Sequence, residues 1–102
     1  MRVIKRLPLL EFGHQRPAAV KPLDAWYRAT LAADWRNFAQ VKATFGSTDQ
    51  AKVASGQTVC IFGIGGNKFR LIAFVSYEKS KVYVLRILTH KEYDSNRWRS
   101  EL

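Results

Sequence analysis

The hydrophobic pattern changes period at Ser55-Gly56, and that change confines the chain to folds that join a helical half to a sheet half. Before it, Leu23, Trp26, Tyr27, Thr30 and Leu31 recur at spacings of three and four, the signature of one helical face. After it, Thr58 to Ile64 is rich in strand formers. Phe69, Leu71, Ala73, Val75 and Tyr77 then alternate with Lys68, Arg70, Ile72, Phe74 and Ser76. The period of two predicts strands over 58–64, 68–77 and 81–88, with reversals at Gly65-Gly66-Asn67 and Glu78-Lys79-Ser80. Three strands joined by short turns form an antiparallel meander. Helices first and strands later predict an α+β domain, with the helices on one face of the sheet.

The helical half has its own punctuation. A short helix is expected over 8–15, with Pro8 in its first turn. The next runs from Pro22 to about Asp34, with Asp24 complementing the positive helix end. Asn37, with Gln40 three residues on, resembles a capping box opening a third helix. Phe38, Val41 and Phe45 share its face, and Gly46 suits a left-handed C-terminal position. Gly46-Ser47-Thr48-Asp49 is loop chemistry. Residues 2–6 fit either a short strand or a helix start, and the tail from Thr89 is polar apart from Trp98. The 102 residues leave room for one domain, residues 1–102, with one modest core.

Charge narrows the function classes. Seventeen Lys and Arg against eight Asp and Glu give +9, which attracts polyanions such as nucleic acid; the plainer alternative is that the charge serves solubility. Cys60 is alone, so no intramolecular disulfide can form. Small secreted domains normally need such staples, so a cytoplasmic protein is expected. Its apolar strand neighbours make inert burial the default for this thiol. No apolar run approaches the roughly 20 residues of a membrane span, and the basic start lacks the apolar core of a signal peptide. His14 and His90 are far apart, with no Cys pair, so no metal or other cofactor is expected. Gly63-x-Gly65-Gly66-Asn67-Lys68 lacks phosphate-loop spacing and precedes a strand, so it reads as a hairpin turn.

Strand arithmetic gathers the candidate chemistry. Lys68 and Arg70 leave one face of the second strand; Arg86, Leu88 and, by extension, His90 share a face of the third. Hairpin geometry brings the two sets to one side of the sheet if the register allows. Glu92, Tyr93 and Asp94 follow closely. Cation, imidazole, phenol and carboxylate together suit a phosphodiester. Metal-independent RNA cleavage needs a base for the 2′-OH, an acid for the leaving oxygen and fixed positive charge against the phosphorane. Arg70 and Arg86 suit the last role, because guanidinium stays charged and donates paired hydrogen bonds. His90 suits proton transfer, Tyr93 stacking or proton transfer, and Lys68 phosphate binding or acid–base work. Plainer roles stand beside these: solvated strand arginines, a turn-bonding His90, and an Asp94 that caps a helix or pairs with arginine. Trp26, Tyr27 and Trp35 read as core. A non-catalytic RNA- or ribosome-binding inhibitor of translation uses the same positive face without the acid–base groups.

Two blocks carry a family resemblance. Phe62-Gly63-Ile64-Gly65-Gly66-Asn67-Lys68-Phe69-Arg70-Leu71-Ile72, followed by Thr89-His90-Lys91-Glu92-Tyr93-Asp94, resembles the HigB family of RelE-like toxins. Pro22-Leu23-x-Ala25-Trp26-Tyr27-Arg28, Ala33-Asp34-Trp35 and Val41-Lys42-Ala43-x-Phe45-Gly46 agree upstream, so the likeness covers about Pro22 to Asp94. It implies a β–α–α–β–β–β microbial RNase-type fold and a metal-independent endonuclease acting on translated mRNA at the ribosomal A site. The implied product is a 2′,3′-cyclic phosphate. It also implies a HigA-type helix-turn-helix antitoxin, with DNA met only through that partner. Lys68, Arg70, His90, Tyr93 and Asp94 become the catalytic candidates. Asn67, Arg86 and Lys91 join Lys68 and Arg70 as RNA-binding candidates, and Glu92 is expected to be structural, supporting the residues around it. One departure stands out: family members commonly carry Asn where this chain has Gly63, which bears on rate or sequence preference.

Overall fold

The computed structural model describes residues 1–102. Strand β1 (Arg2–Ile4) leads into α1 (Leu7–Gln15), a 3-10 turn (Pro17–Ala19), α2 (Val20–Ala32) and α3 (Phe38–Thr44). Strands β2 (Asp49–Lys52), β3 (Thr58–Ile64), β4 (Phe69–Ser76) and β5 (Lys81–Thr89) follow, and α4 (His90–Asp94) and α5 (Arg97–Glu101) close the chain. The α+β architecture expected from the change of period is present, as a five-stranded sheet of order β1-β5-β4-β3-β2. β1 lies parallel to β5, and the other pairs are antiparallel.

Local signals explain most elements. Asn37 accepts the Gln40 amide at 3.0 Å, and the Gln40 carboxamide receives the Arg36 amide, so α3 opens on the expected cap. The hairpin between β3 and β4 turns through Gly65, Gly66 and Asn67, all with φ between 63° and 69°. Such left-handed values favour glycine and asparagine.

Several boundaries differ from the sequence reading. α2 starts two residues before Pro22, so Asp24 lies beyond the first turn and pairs with Arg28 at 2.8 Å instead of serving the helix end. Gly46 is not left-handed, because α3 ends on an extended Phe45. Lys68 belongs to the turn, not to β4. β2 was not expected: Asp49 to Lys52 has no strand-forming pattern, yet its backbone completes the ladder on β3. Nor do all the helices share one face.

One face of the sheet carries Cys60, Phe62, Ile64, Leu71, Ala73, Val75, Val82 and Val84 against Leu9, Leu23, Trp26, Trp35 and Val41 from the helical half. Phe62 meets Trp26, Trp35 and Phe45 in an aromatic cluster with centroids 5.3–6.2 Å apart. The other face carries Val59, Ile61 and Ile72, with Ala51 and Val53, and is covered by Trp98 from α5. A bulge in β5 decides which side chains reach that second face. Ile72 pairs with Arg86 but Ala73 pairs with Val84, leaving Leu85 as the extra residue. Strict alternation from Val82 and Val84 would send Arg86 and Leu88 into the helical core. The extra residue reverses the parity and delivers both to the second face.

Candidate functional site

The site forms where the β3–β4 turn, the end of β5 and the tail helix meet. Arg70 pairs with Leu88 and Phe69 with Thr89, so the turn residue Lys68 and the first residue of α4, His90, lie just past the same end of the ladder. Arg70 and Arg86 therefore stand on one face of the sheet, as the strand arithmetic anticipated, although the parity rests on the bulge.

Short-range chemistry then fixes α4. Thr89 Oγ1 accepts the Glu92 amide at 3.2 Å, and Glu92 Oε1 accepts the Thr89 amide at 2.9 Å, a complete capping box. The Thr89 amide, more than any other group, holds the Glu92 carboxyl below its ordinary range. Glu92 is thus the residue that starts the helix. The Thr-x-x-Glu spacing carries that signal in the sequence and gives a definite form to the structural or supporting role expected of Glu92. Within α4, His90 Nε2 and Asp94 Oδ2 are 3.0 Å apart, one turn along and both largely exposed. Asp94 thus neither caps a helix nor pairs with arginine.

Tyr93 is held by stacking. Its ring lies 11° from parallel to Trp98, with centroids 5.4 Å apart, and the Arg70 guanidinium carbon stands 5.0 Å from the Tyr93 centroid. Trp98, 2% exposed, donates its indole N–H to the Tyr93 carbonyl at 3.0 Å. The Arg99 carbonyl, next along α5, receives the Ala54 amide at 2.8 Å, tying the tail to the β2–β3 turn. Trp98 is the supporting residue that sequence reasoning missed; an isolated large aromatic in a polar tail was its only signal.

Arg70 has a second restraint, a hydrogen bond from Nη1 to the Asn67 carbonyl at 3.2 Å. Arg86 is half-buried and donates to the Leu85 carbonyl at 3.0 Å. Lys68 and Lys91 are exposed and take part in no ion pair. Three groups are therefore in direct contact: Arg70 with Asn67, Arg70 with Tyr93, and His90 with Asp94. Arg86, Lys68 and Lys91 border them as cations. No group of three His, Cys, Asp or Glu side chains stands together in the fold. Cys60, on the helical side, is buried, and burial pushes its thiol up to about 11.

The site is an open surface. A concavity of about 580 Å³ lies instead in the helical layer among Leu9, Leu10, Val20, Leu23 and Tyr27, and no candidate residue lines it. An open floor of guanidinium, phenol and imidazole suits a long polyanion better than an enclosed metabolite. No helix is long and apolar enough to cross a membrane.

Comparison with known proteins identifies the family. Residues 19–96 match the family of HigB toxins, described as the RelE-like toxic component of a toxin–antitoxin system. The chain is 43% identical over 94 residues to the mRNA interferase toxin HigB of Escherichia coli K12, covering 92% of this chain and 88% of that one. It is equally similar to the mRNA interferase HigB of Shigella flexneri, and 27% identical to that of Escherichia coli O6:H1, with 92% of this chain and 89% of that one covered. The two sequence blocks that resemble the family are thus embedded in a likeness that runs almost the length of the protein, and the chain belongs to the HigB family of RelE-like toxins.

Proposed function

We propose that this protein is a ribosome-dependent mRNA endonuclease, the toxin of a type II toxin–antitoxin pair, acting in the cytoplasm as one domain of residues 1–102. The observation that carries the reading is the register that sets Arg70 beneath Tyr93 and beside the helix bearing the His90–Asp94 pair. The names of the relatives, mRNA interferases at 43% identity, support the same substrate.

In this reading the ribose 2′-oxygen attacks the adjacent phosphorus while the bond from phosphorus to the 5′-oxygen breaks. The 2′-OH proton leaves to a base, and a proton is delivered to the departing 5′-oxygen. The products are a 2′,3′-cyclic phosphate and a 5′-OH. Arg70, Lys68 and Arg86 offset the charge that builds on the phosphorane. His90 moves a proton, with Asp94 fixing its ring through Nε2. Tyr93, flat on Trp98, supports a base or the leaving oxygen. Asn67 and Lys91 border the RNA path. The +9 charge steers the protein to ribosome and message. A helix-turn-helix antitoxin neutralises the toxin and is its only link to DNA.

Mapping mRNA ends after induction of the chain tests this. New 5′ ends within translated messages are expected, together with arrested growth. Arg70→Ala or His90→Ala should lower cleavage about 100-fold or more with the fold retained. Intact messages, or unchanged toxicity in both variants, would remove the assignment.

A further inference from the structure

Gly63 stands at a strand position that does not need glycine for its backbone. Its φ is not positive, whereas the turn glycines Gly65 and Gly66 have φ of 63° and 65°. A strand interior normally favours a side chain there. What occupies the space is Asn67. A Cβ on Gly63 would overlap Asn67 Oδ1 outright, and would stand 3.0 Å from Asn67 Cγ and 3.3 Å from Ser47 Oγ.

The register shows what this seat adjoins. Gly63 pairs with Arg70, and Arg70 with Leu88. Ile61 pairs with Asp49, so the line of β2, continued back two residues, brings Ser47 level with Gly63. Ser47, Gly63, Arg70 and Leu88 thus form a row across the second face of the sheet. The Asn67 carboxamide fills the one gap in that row, over Gly63, whose ladder partner is Arg70. The same residue supplies the backbone carbonyl that receives Arg70 Nη1.

We propose that Gly63 is a positioning residue of the cleavage site: its missing side chain seats the Asn67 carboxamide between Ser47 and Arg70, and this seat fixes the turn that holds the Arg70 guanidinium. The proposal rests on the endonuclease reading above and deepens it. The overlap is with the far end of a side chain, so a methyl group at 63 evicts the carboxamide without breaking the strand. Arg70 then keeps its contact with Tyr93 but loses the fixed carbonyl at its other side.

A double-mutant cycle decides the matter. Asn67→Gly removes the carboxamide while tolerating the left-handed φ of 69°. Single-turnover cleavage of mRNA on programmed ribosomes should fall about tenfold or more in Gly63→Ala, with the thermal midpoint little changed. Asn67→Gly should fall by a similar factor. The pair together should be no worse than Asn67→Gly alone, because no carboxamide remains to evict. Wild-type rates in Gly63→Ala, or losses that multiply in the double variant, overturn the proposal. The side-chain amide signals of Asn67, read by NMR without RNA, test the seat separately. They should shift in both Gly63→Ala and Ser47→Ala, and signals that stay in place overturn it. A wild-type protein that cleaves nothing overturns the endonuclease reading, while the amide signals still report on the seat.

Discussion

On one face of the sheet, three helices and the strands share a core of fourteen buried residues; on the other, two five-residue helices and the strands share one of six. The thick layer is aromatic and closed, built on Phe62, Trp26 and Trp35. The thin layer rests on a single large anchor, Trp98, and everything it orders is polar and reaches solvent: Arg70, Tyr93, His90 and Asp94. A catalytic surface for a polymer needs fixed groups that remain exposed. The division of labour meets both needs, since stability comes from one side and accessibility from the other.

The sharpest way to break this contrast is to truncate an anchor on each face. Trp98→Ala and Phe62→Ala should each cost about 3–5 kcal/mol in a denaturation experiment. They should differ in cleavage per folded molecule, falling tenfold or more for Trp98→Ala, where Tyr93 loses its stacking partner, and staying near wild type for Phe62→Ala. Equal loss in both would show that the faces are not separable.

A smaller effect should follow from the cap of α4. Thr89→Ala removes an N-cap worth about 1 kcal/mol, and faster hydrogen exchange should appear in α4 while α2 keeps its protection. Exchange that spreads to α2 would mean that the thin layer is not a separate cooperative unit.

Acid should act through the same cap. The Thr89 amide holds the Glu92 carboxyl below its ordinary range, so the stabilisation is complete above the unfolded-state pKa. It is lost as pH falls through the lower folded-state value. Because Glu92 is exposed, solvent screening keeps this to a fraction of a kcal/mol. Glu92→Gln, which retains capping geometry, should remove this acid-sensitive component of α4 order; an unchanged acid profile would remove the carboxylate from the account.

The last expectation concerns the closed face. Burial raises the Cys60 thiol to about 11, offset in part by a hydrogen bond with Tyr77, whose own hydroxyl is pushed up to about 12. The fold favours the neutral thiol, so its contribution is full below the ordinary thiol pKa and is lost as pH rises through about 11. Native protein at pH 8 should resist alkylation, and unfolded protein should react at once. Rapid native labelling would mean that the helical layer opens as readily as the tail.

Much of this was legible in residue order. The strand over Thr58–Ile64 falls on the expected residues, as do the Asn37 cap and the glycine-rich reversal. These depend on local preferences: backbone sterics, side-chain capping and a period of two. Arg70, His90 and Tyr93 were gathered as candidates because their residue types suit phosphodiester chemistry, and the family blocks reinforced them. β2 was illegible because Asp49-Gln50-Ala51-Lys52 acquires strand geometry from the β3 backbone beside it, not from its own side chains. Glu92 was legible as a structural or supporting residue, and the Thr-x-x-Glu spacing specifies that role as the start of α4.

The sequence by itself determined the helical and extended halves, the excess of positive charge and the family, because each is written in spacing, composition or residue order. The tertiary structure alone decided which face the charge serves. That choice hangs on the bulge at Leu85, which reverses the parity of β5 and brings Arg86 and Leu88 beside Arg70. The buried spacing Val82, Val84 and then the partly buried Ile87 hints at the reversal. Pairing with β4 and the packing of the tail's Trp98 onto Val59, Ile61 and Ile72 hold it in place. A one-residue shift turns every following side chain over, and only contacts distant in sequence select between the two outcomes.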